Sequence, residues 1–182
     1  MMRGANRHEK EYIVKTIVTT ETIKTIAERN GVEMYDVYTG FKWIANVMRE
    51  NEGKKNYIGG GEESYGFLCE DFVRDKDAVS ACVILAEIAA WAKDQGLSLY
   101  QLLQKIYVEY GFSKEKGISV VKKGKSGAEE IEAMMKKFRE NPLTEIAGSK
   151  VTYFYDYSTL KGKDYAENET VTLDMPTTSN VL

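Results

Sequence analysis

Twice within the first fifty residues the hydrophobic period of this chain switches from that of a strand to that of a helix, and this restricts the fold more than any other feature. Ile13 to Val18 is a short β-branched run set among threonines, the composition of a buried strand. Ile23, Ile26 and Ala27 then share one helical face, and Asn30-Gly31 supplies a left-handed stop. Met34 to Tyr38 has the pattern of a second strand, and Phe41, Ile44, Ala45 and Met48 follow at i, i+3, i+4 and i+7, the spacing of an amphipathic helix. Strands alternating with helices predict an α/β fold. The expected form is a three-layer α/β/α domain, a small mixed sheet covered by helices on both faces.

Further along, Asn56 to Ile58 and Phe67 to Cys69 read as short strands on either side of a glycine-rich loop. Ala78 to Lys93 is apolar nearly all round, which predicts a buried helix ending at Gly96. Ser98 with Gln101 and Ser126 with Glu129 have capping-box spacing and open two further helices, the second ending before Pro142. Val151, Tyr153, Tyr155 and Tyr157 alternate as in a half-buried strand, and beyond Leu160 the chain is polar and without pattern.

Composition narrows the function classes. A chain of 182 residues suits one domain with a core and a tail. A net charge of -3 leaves no electrostatic footprint for nucleic acid or an acidic membrane surface. Cys69 and Cys82 are too few for a zinc site or a disulfide framework, and their apolar surroundings predict buried, reduced thiols in a cytoplasmic protein. The most apolar stretch, Ala78 to Ala92, is too short and too rich in alanine to span a membrane, and no signal peptide is visible. The single histidine, His8, lies in a charged segment read as tail, so no Ser-His-Asp triad is available within this chain.

Chemistry concentrates in Gly59-Gly60-Gly61-Glu62-Glu63-Ser64-Tyr65-Gly66. Taken alone, the segment is a tight turn between strands. As a phosphate cradle it is wrong, because a Walker-type loop needs Lys and Ser/Thr after its last glycine, and two carboxylates would repel a dianion. Carboxylates and a hydroxyl suit a ring of neutral hydroxyl groups instead, since a carboxylate accepts charge-assisted hydrogen bonds from vicinal hydroxyls and serine both donates and accepts. Downstream, Arg74-Asp75-Lys76-Asp77 precedes the apolar helix, with Asp as an N-cap and Arg74 as a solvated neighbour. Lys76 there faces the positive end of a helix macrodipole, a setting that suits a hydrogen-bond donor or proton shuttle beside a sugar. Upstream, Thr39-Gly40-Phe41-Lys42 is a strand-to-helix turn with Thr39 as the cap, and a helix N-terminus also suits an oxygen of a sugar phosphate.

In this order and spacing, Thr39-Gly40-Phe41-Lys42-Trp43, Gly61-Glu62-Glu63-Ser64-Tyr65-Gly66 and Arg74-Asp75-Lys76-Asp77 resemble the third domain of the α-D-phosphohexomutase family. The resemblance runs from about Tyr12 to Tyr157, and the Thr-Thr-Glu after the first strand, ending at Glu21, fits the same domain. It implies an organisation of tail or expression remnant (1–11), sugar-binding domain (12–157), and linker with the lead-in to a C-terminal phosphate-binding domain (158–182). It also implies a reaction: hexose 1-phosphate and 6-phosphate interconvert through a phosphoserine and a bisphosphate that reorients. By resemblance, Glu62 and Ser64 bind the sugar 3- and 4-hydroxyls, Thr39 with Gly40 contacts the bound phosphate, and Lys76 is a sugar ligand that aids proton transfer. The Glu-Glu-Ser form of the loop favours glucose phosphates, with mannose phosphate as the alternative.

Three family motifs are not in this sequence: the phosphoserine loop Thr-x-Ser-His-Asn-Pro, the Asp-x-Asp-x-Asp-Arg magnesium loop and the Arg-Pro-Ser-Gly-Thr phosphate clamp. This polypeptide alone is therefore expected to lack mutase activity and to bind no metal or cofactor itself. Mg2+ and a hexose 1,6-bisphosphate would belong to a parent enzyme whose remaining domains are its partners. Two other readings stand beside this one. One is a stand-alone hexose-phosphate-binding or regulatory module, and the other is a generic α/β interaction domain in which the loop is only a turn.

Overall fold

In the computed structural model, which describes residues 10–182, β1 (Glu11–Thr16) lies between β2 (Glu33–Val37) and β3 (Asn56–Gly61) and pairs with both in parallel. Antiparallel β4 (Phe67–Cys69) extends the sheet beyond β3, giving the order β2-β1-β3-β4. Helix α1 (Thr22–Arg29) connects β1 to β2, and α2 (Phe41–Asn51) connects β2 to β3. These two steps run in opposite directions across the sheet, so right-handed crossovers put α1 and α2 on opposite faces. The α/β fold with a small mixed sheet between helices is thus the one formed. His8 and the tail before Lys10 lie outside the described residues.

Period-two alternation along β1 sends Tyr12 and Val14 to the face that α2 covers. They pack there with Val37, Phe41, Ile44, Met48, Tyr57 and Leu68, and Ile44 and Leu68 are fully enclosed. The other face of β1 carries a buried cation. Lys15 is 1% exposed, with its Nζ 2.8 Å from Glu21 Oε1 and 2.7 Å from Asp36 Oδ1. The Asp36 contact is an ion pair without hydrogen-bond alignment.

The glycine-rich segment divides differently from expectation. Gly59, Gly60 and Gly61 belong to β3, and the turn begins only at Glu62. Glycine is needed inside that strand because a Cβ on Gly60 would stand 2.4 Å from the Val14 carbonyl oxygen and 2.6 Å from the Tyr57 hydroxyl.

Helices α3 (Ala78–Asp94) and α4 (Leu99–Tyr110) begin as their caps predict. Asp77 accepts from the Val79 and Ser80 amides, and Ser98 and Gln101 form a full capping box. The expectation that α3 is buried does not hold. Ala92 is its buried residue, while Val79, Val83, Leu85 and Trp91 are exposed. An all-round apolar sequence does not itself gather neighbours, and within this part of the chain α3 packs chiefly on β4 and α4. The buried thiols are corrected with it: Cys82, on α3, is exposed, and Cys69 is half-buried beside the Ile58 carbonyl.

Contacts divide the chain into two units, Met1–Lys116 and Gly117–Leu182, a division that falls inside the span 12–157. The second unit holds α5 (Gly124–Glu140), the short hairpin β5 (Glu145–Ile146) and β6 (Ser149–Lys150), and a three-stranded antiparallel sheet. The strands of that sheet are β7 (Tyr153–Asp156), β8 (Lys161–Asp164) and β9 (Glu169–Thr172). Helix α5 starts two residues before Ser126, with Lys123 at its N-cap, so the Ser126–Glu129 pair lies inside the helix and caps nothing. The stretch after Leu160, expected to be patternless, contributes two strands. Their sequences, KGKD and ETVT, are too polar to show hydrophobic alternation, and backbone pairing with β7 defines them. Among the described residues no helix is long and apolar enough to cross a membrane.

Candidate functional site

The loop between β3 and β4 closes on itself. The Glu62 amide donates to the Gly66 carbonyl at 2.7 Å, and Tyr65, fully exposed at the tip, takes a left-handed backbone with φ 68°. From this turn the Glu62 side chain reaches back to the start of α2, where its Oε1 accepts the Gly40 amide at 2.8 Å. Gly40, with φ 107°, is the N-cap of α2 and has no side chain to cap with. Thr39, expected as the cap, sits one residue too early and is exposed. A carboxylate from 22 residues away thus supplies the negative group that a helix N-terminus favours.

Glu62 Oε2 faces Lys76, whose Nζ stands 3.1 Å away. The carboxylate side chain is 4% exposed and the lysine side chain 53%, so the pair has a dry end and a wet end. Gly66 packs directly against both, since a Cβ there would fall 2.4 Å from Glu62 Oε2 and 2.9 Å from Lys76 Cδ. Lys76 is delivered by the segment ahead of α3. The Asp77 amide donates to the Phe67 carbonyl at 3.1 Å, and the Asp77 carboxylate caps the helix. Hydrogen bonds from Ser80 hold the Asp77 carboxyl below the usual carboxylate range. Arg74 is half-exposed and pairs with Glu52 at 3.1 Å, so it is tied to the surface beside α2.

Of the residues singled out in the sequence, Gly40, Glu62 and Lys76 are joined by direct contacts, while Thr39 and Ser64 adjoin the cluster as exposed rim residues. Glu62 and Glu63, adjacent in the chain, face different partners. Glu63 Oε2 accepts a hydrogen bond from Thr16 Oγ1 at 2.9 Å, and Thr16 is fully buried at the end of β1. Sequence reasoning missed Lys15 and Thr16, which sit in a β-branched run that hides which of its members are buried, and it grouped Glu63 with Glu62 as a second carboxylate for sugar hydroxyls, without its tie to Thr16. Among the described residues each Glu62 oxygen has one hydrogen-bonding partner, the Gly40 amide for Oε1 and the Lys76 ammonium for Oε2. Among the described residues no group of three or more His, Cys, Asp or Glu is placed to hold a metal ion.

A family model described as phosphoglucomutase/phosphomannomutase, alpha/beta/alpha domain III, matches residues 1–110. The phosphoglucomutase of Staphylococcus haemolyticus (strain JCSC1435) is 37% identical over 170 residues, which is 93% of this chain and 31% of that protein. The phosphoglucomutase of Staphylococcus aureus (strain bovine RF122 / ET3-1) is 40% identical over 169 residues, 93% of this chain and 29% of that protein. The chain thus spans under a third of the length of these relatives. Among solved structures, the open form of the Paramecium exocytosis-sensitive phosphoprotein pp63/parafusin, a phosphoglucomutase, aligns with a TM-score of 0.53 at 19% identity. That alignment covers 88% of this chain and 27% of the other, a likeness of fold. The model match takes in the whole β2-β1-β3-β4 sheet, its helices and the loop between β3 and β4, and by it the chain belongs to the phosphoglucomutase/phosphomannomutase family through the alpha/beta/alpha domain III.

Proposed function

We infer that this domain recognises the hydroxyl groups of a hexose phosphate, with Glu62 as the principal acceptor, for an enzyme that interconverts hexose 1-phosphate and 6-phosphate. The observation that carries this reading is the Glu62 carboxylate, fixed between the Gly40 amide and the Lys76 ammonium at the base of a hairpin loop. A carboxylate held in place by protein donors needs little reorganisation to accept two further hydrogen bonds from vicinal hydroxyls. Ser64, exposed two residues on, both donates and accepts toward the same ring. Thr39, exposed just ahead of α2, offers a hydroxyl to a phosphate oxygen.

Lys76 covers one Glu62 oxygen, so a sugar hydroxyl reaches that oxygen by sharing or replacing the lysine contact. Displaced toward the ring, the ammonium becomes a donor to a sugar oxygen and is placed to carry a proton when a hydroxyl accepts or releases a phosphoryl group. The phosphoserine, the metal loop and the phosphate clamp that such a transfer needs are assigned to other parts of the parent enzyme. Mg2+ and the hexose 1,6-bisphosphate belong there as well, and the glutamate-rich loop favours glucose over mannose phosphates.

The test is a glucose 1-phosphate titration of the chain followed by NMR. Perturbations grouped at Thr39, Gly40, Glu62, Ser64 and Lys76, and abolished in Glu62→Ala, support the reading. Equal perturbations in the wild type and Glu62→Ala sink it. The same titration with mannose 1-phosphate reads the sugar preference.

A further inference from the structure

We propose that Glu63 is the positioning residue of the sugar loop: by accepting the buried Thr16 hydroxyl it pins the loop to the end of β1 and holds Glu62 and Ser64 in their binding geometry. The proposal deepens the sugar-recognition reading and rests on it for its functional half. The two carboxylates of the loop have separate tasks in the structure. Glu62 looks to Gly40 and Lys76, and Glu63 looks to Thr16, which is fully buried.

Proton accounting gives the Thr16 bond a direction. A threonine hydroxyl has one proton, and at Thr16 that proton goes to Glu63 Oε2. In the 2.7 Å contact between the Thr16 and Thr19 hydroxyls, Thr19 must then be the donor. The Thr19 carbonyl in turn accepts from the buried Lys15 ammonium at 3.3 Å. The result is a relay of two hydroxyls, Thr19 to Thr16 to the Glu63 carboxylate, each bond polarising the next, while Lys15 separately holds the Thr19 backbone. Its middle member, Thr16, is the last residue of β1 and its acceptor lies in the loop.

The loop needs such a fastening. Its own backbone closure is the single Glu62 to Gly66 bond, and its tip residue Tyr65 takes a left-handed backbone that costs a non-glycine residue. Freed from Thr16, the segment from Glu62 to Gly66 would exchange this strained turn for others, and Glu62 would leave the Gly40 amide.

Amide exchange on the folded chain tests the anchor without any ligand. The reporters are the Gly40 and Glu62 amides, with Ala45 and Val47 in α2 as a gauge of general opening. Glu63→Ala and Thr16→Val should each speed the two reporters by about tenfold or more while leaving the gauge unchanged. Glu63→Gln and Thr16→Ser, which keep an acceptor and a donor, should stay near the wild type. Wild-type rates at Gly40 and Glu62 in Glu63→Ala, or acceleration shared equally by Ala45 and Val47, overturn the proposal. Should Thr16→Val fail to fold, the exposed Glu63 variants still decide it. Glucose 1-phosphate added to the same samples reads the functional half: weakened binding in Glu63→Ala with rescue in Glu63→Gln supports it. If Glu62→Ala binds as well as the wild type, the sugar reading falls, while the exchange rates still decide the anchor.

Discussion

The Gly40 amide and the Glu62 carboxylate meet at 2.8 Å, so the cap of α2 is borrowed from the loop after β3. Replacing Glu62 with alanine removes that acceptor and leaves the Lys76 ammonium without its partner. Cap loss of this kind costs about 1 kcal/mol. Glu62→Gln keeps an oxygen for Gly40 and should recover most of that stability, while its contact with Lys76 loses the charge. Urea denaturation of the two variants checks the difference.

Two glycines of one hairpin should respond to alanine in opposite ways. At Gly60 the new methyl meets the Val14 backbone oxygen, which cannot move aside within a paired strand, and the loss should be about 1–3 kcal/mol. At Gly66 it meets the ends of the Glu62 and Lys76 side chains, which can turn away. Gly66→Ala should therefore cost no more than the displaced α2 cap, about 1 kcal/mol, yet lose glucose 1-phosphate binding. Thermal melts paired with a ligand titration separate the two cases.

Lys15→Met tests the buried cation. It fits a similar volume but leaves Asp36 and Glu21 without their shared ammonium. Since a buried polar group stripped of its partner costs about 1–3 kcal/mol, and Glu21 can turn to solvent, the denaturation midpoint should fall by an amount set mainly by Asp36.

Acid should weaken the start of α3. Ser80 holds the Asp77 carboxyl below its ordinary value in the folded chain. Its contribution is therefore complete above the unfolded carboxylate range and is lost as pH falls through the lowered folded value. Glu33, held low by hydrogen bonds from Lys55 and Tyr35, acts in the same direction. Asp77→Asn keeps a capping oxygen that does not titrate, so it should match the wild type near neutrality and lose less on acidification. Melting temperatures followed by circular dichroism from neutral to strongly acid pH read this directly.

The alternation of Ile13 to Val18 with the helical face of Ile23, Ile26 and Ala27 was enough to read the central strand and its crossover, because period and burial coincide there. It was not enough to distinguish Lys15 and Thr16 from their neighbours, since which polar groups in a strand are covered depends on Asp36 and Glu63, brought near only by the fold. Glu62 and Lys76 were legible as chemistry, and their meeting follows from the β3–β4 hairpin. The role of Gly60 was not legible, as the glycines read equally well as a turn. Along α3 the sequence reports hydrophobicity on every side but carries no information on how many sides are covered.

The Glu62 to Gly66 hydrogen bond closes the loop within its own hairpin. A ligand meeting such a loop does not have to order it, so the entropic cost of association is confined to the ligand and a few side chains such as Lys76. Calorimetry of sugar binding should accordingly show a small conformational penalty, and variants that loosen the hairpin should lose affinity through entropy before they lose any contact.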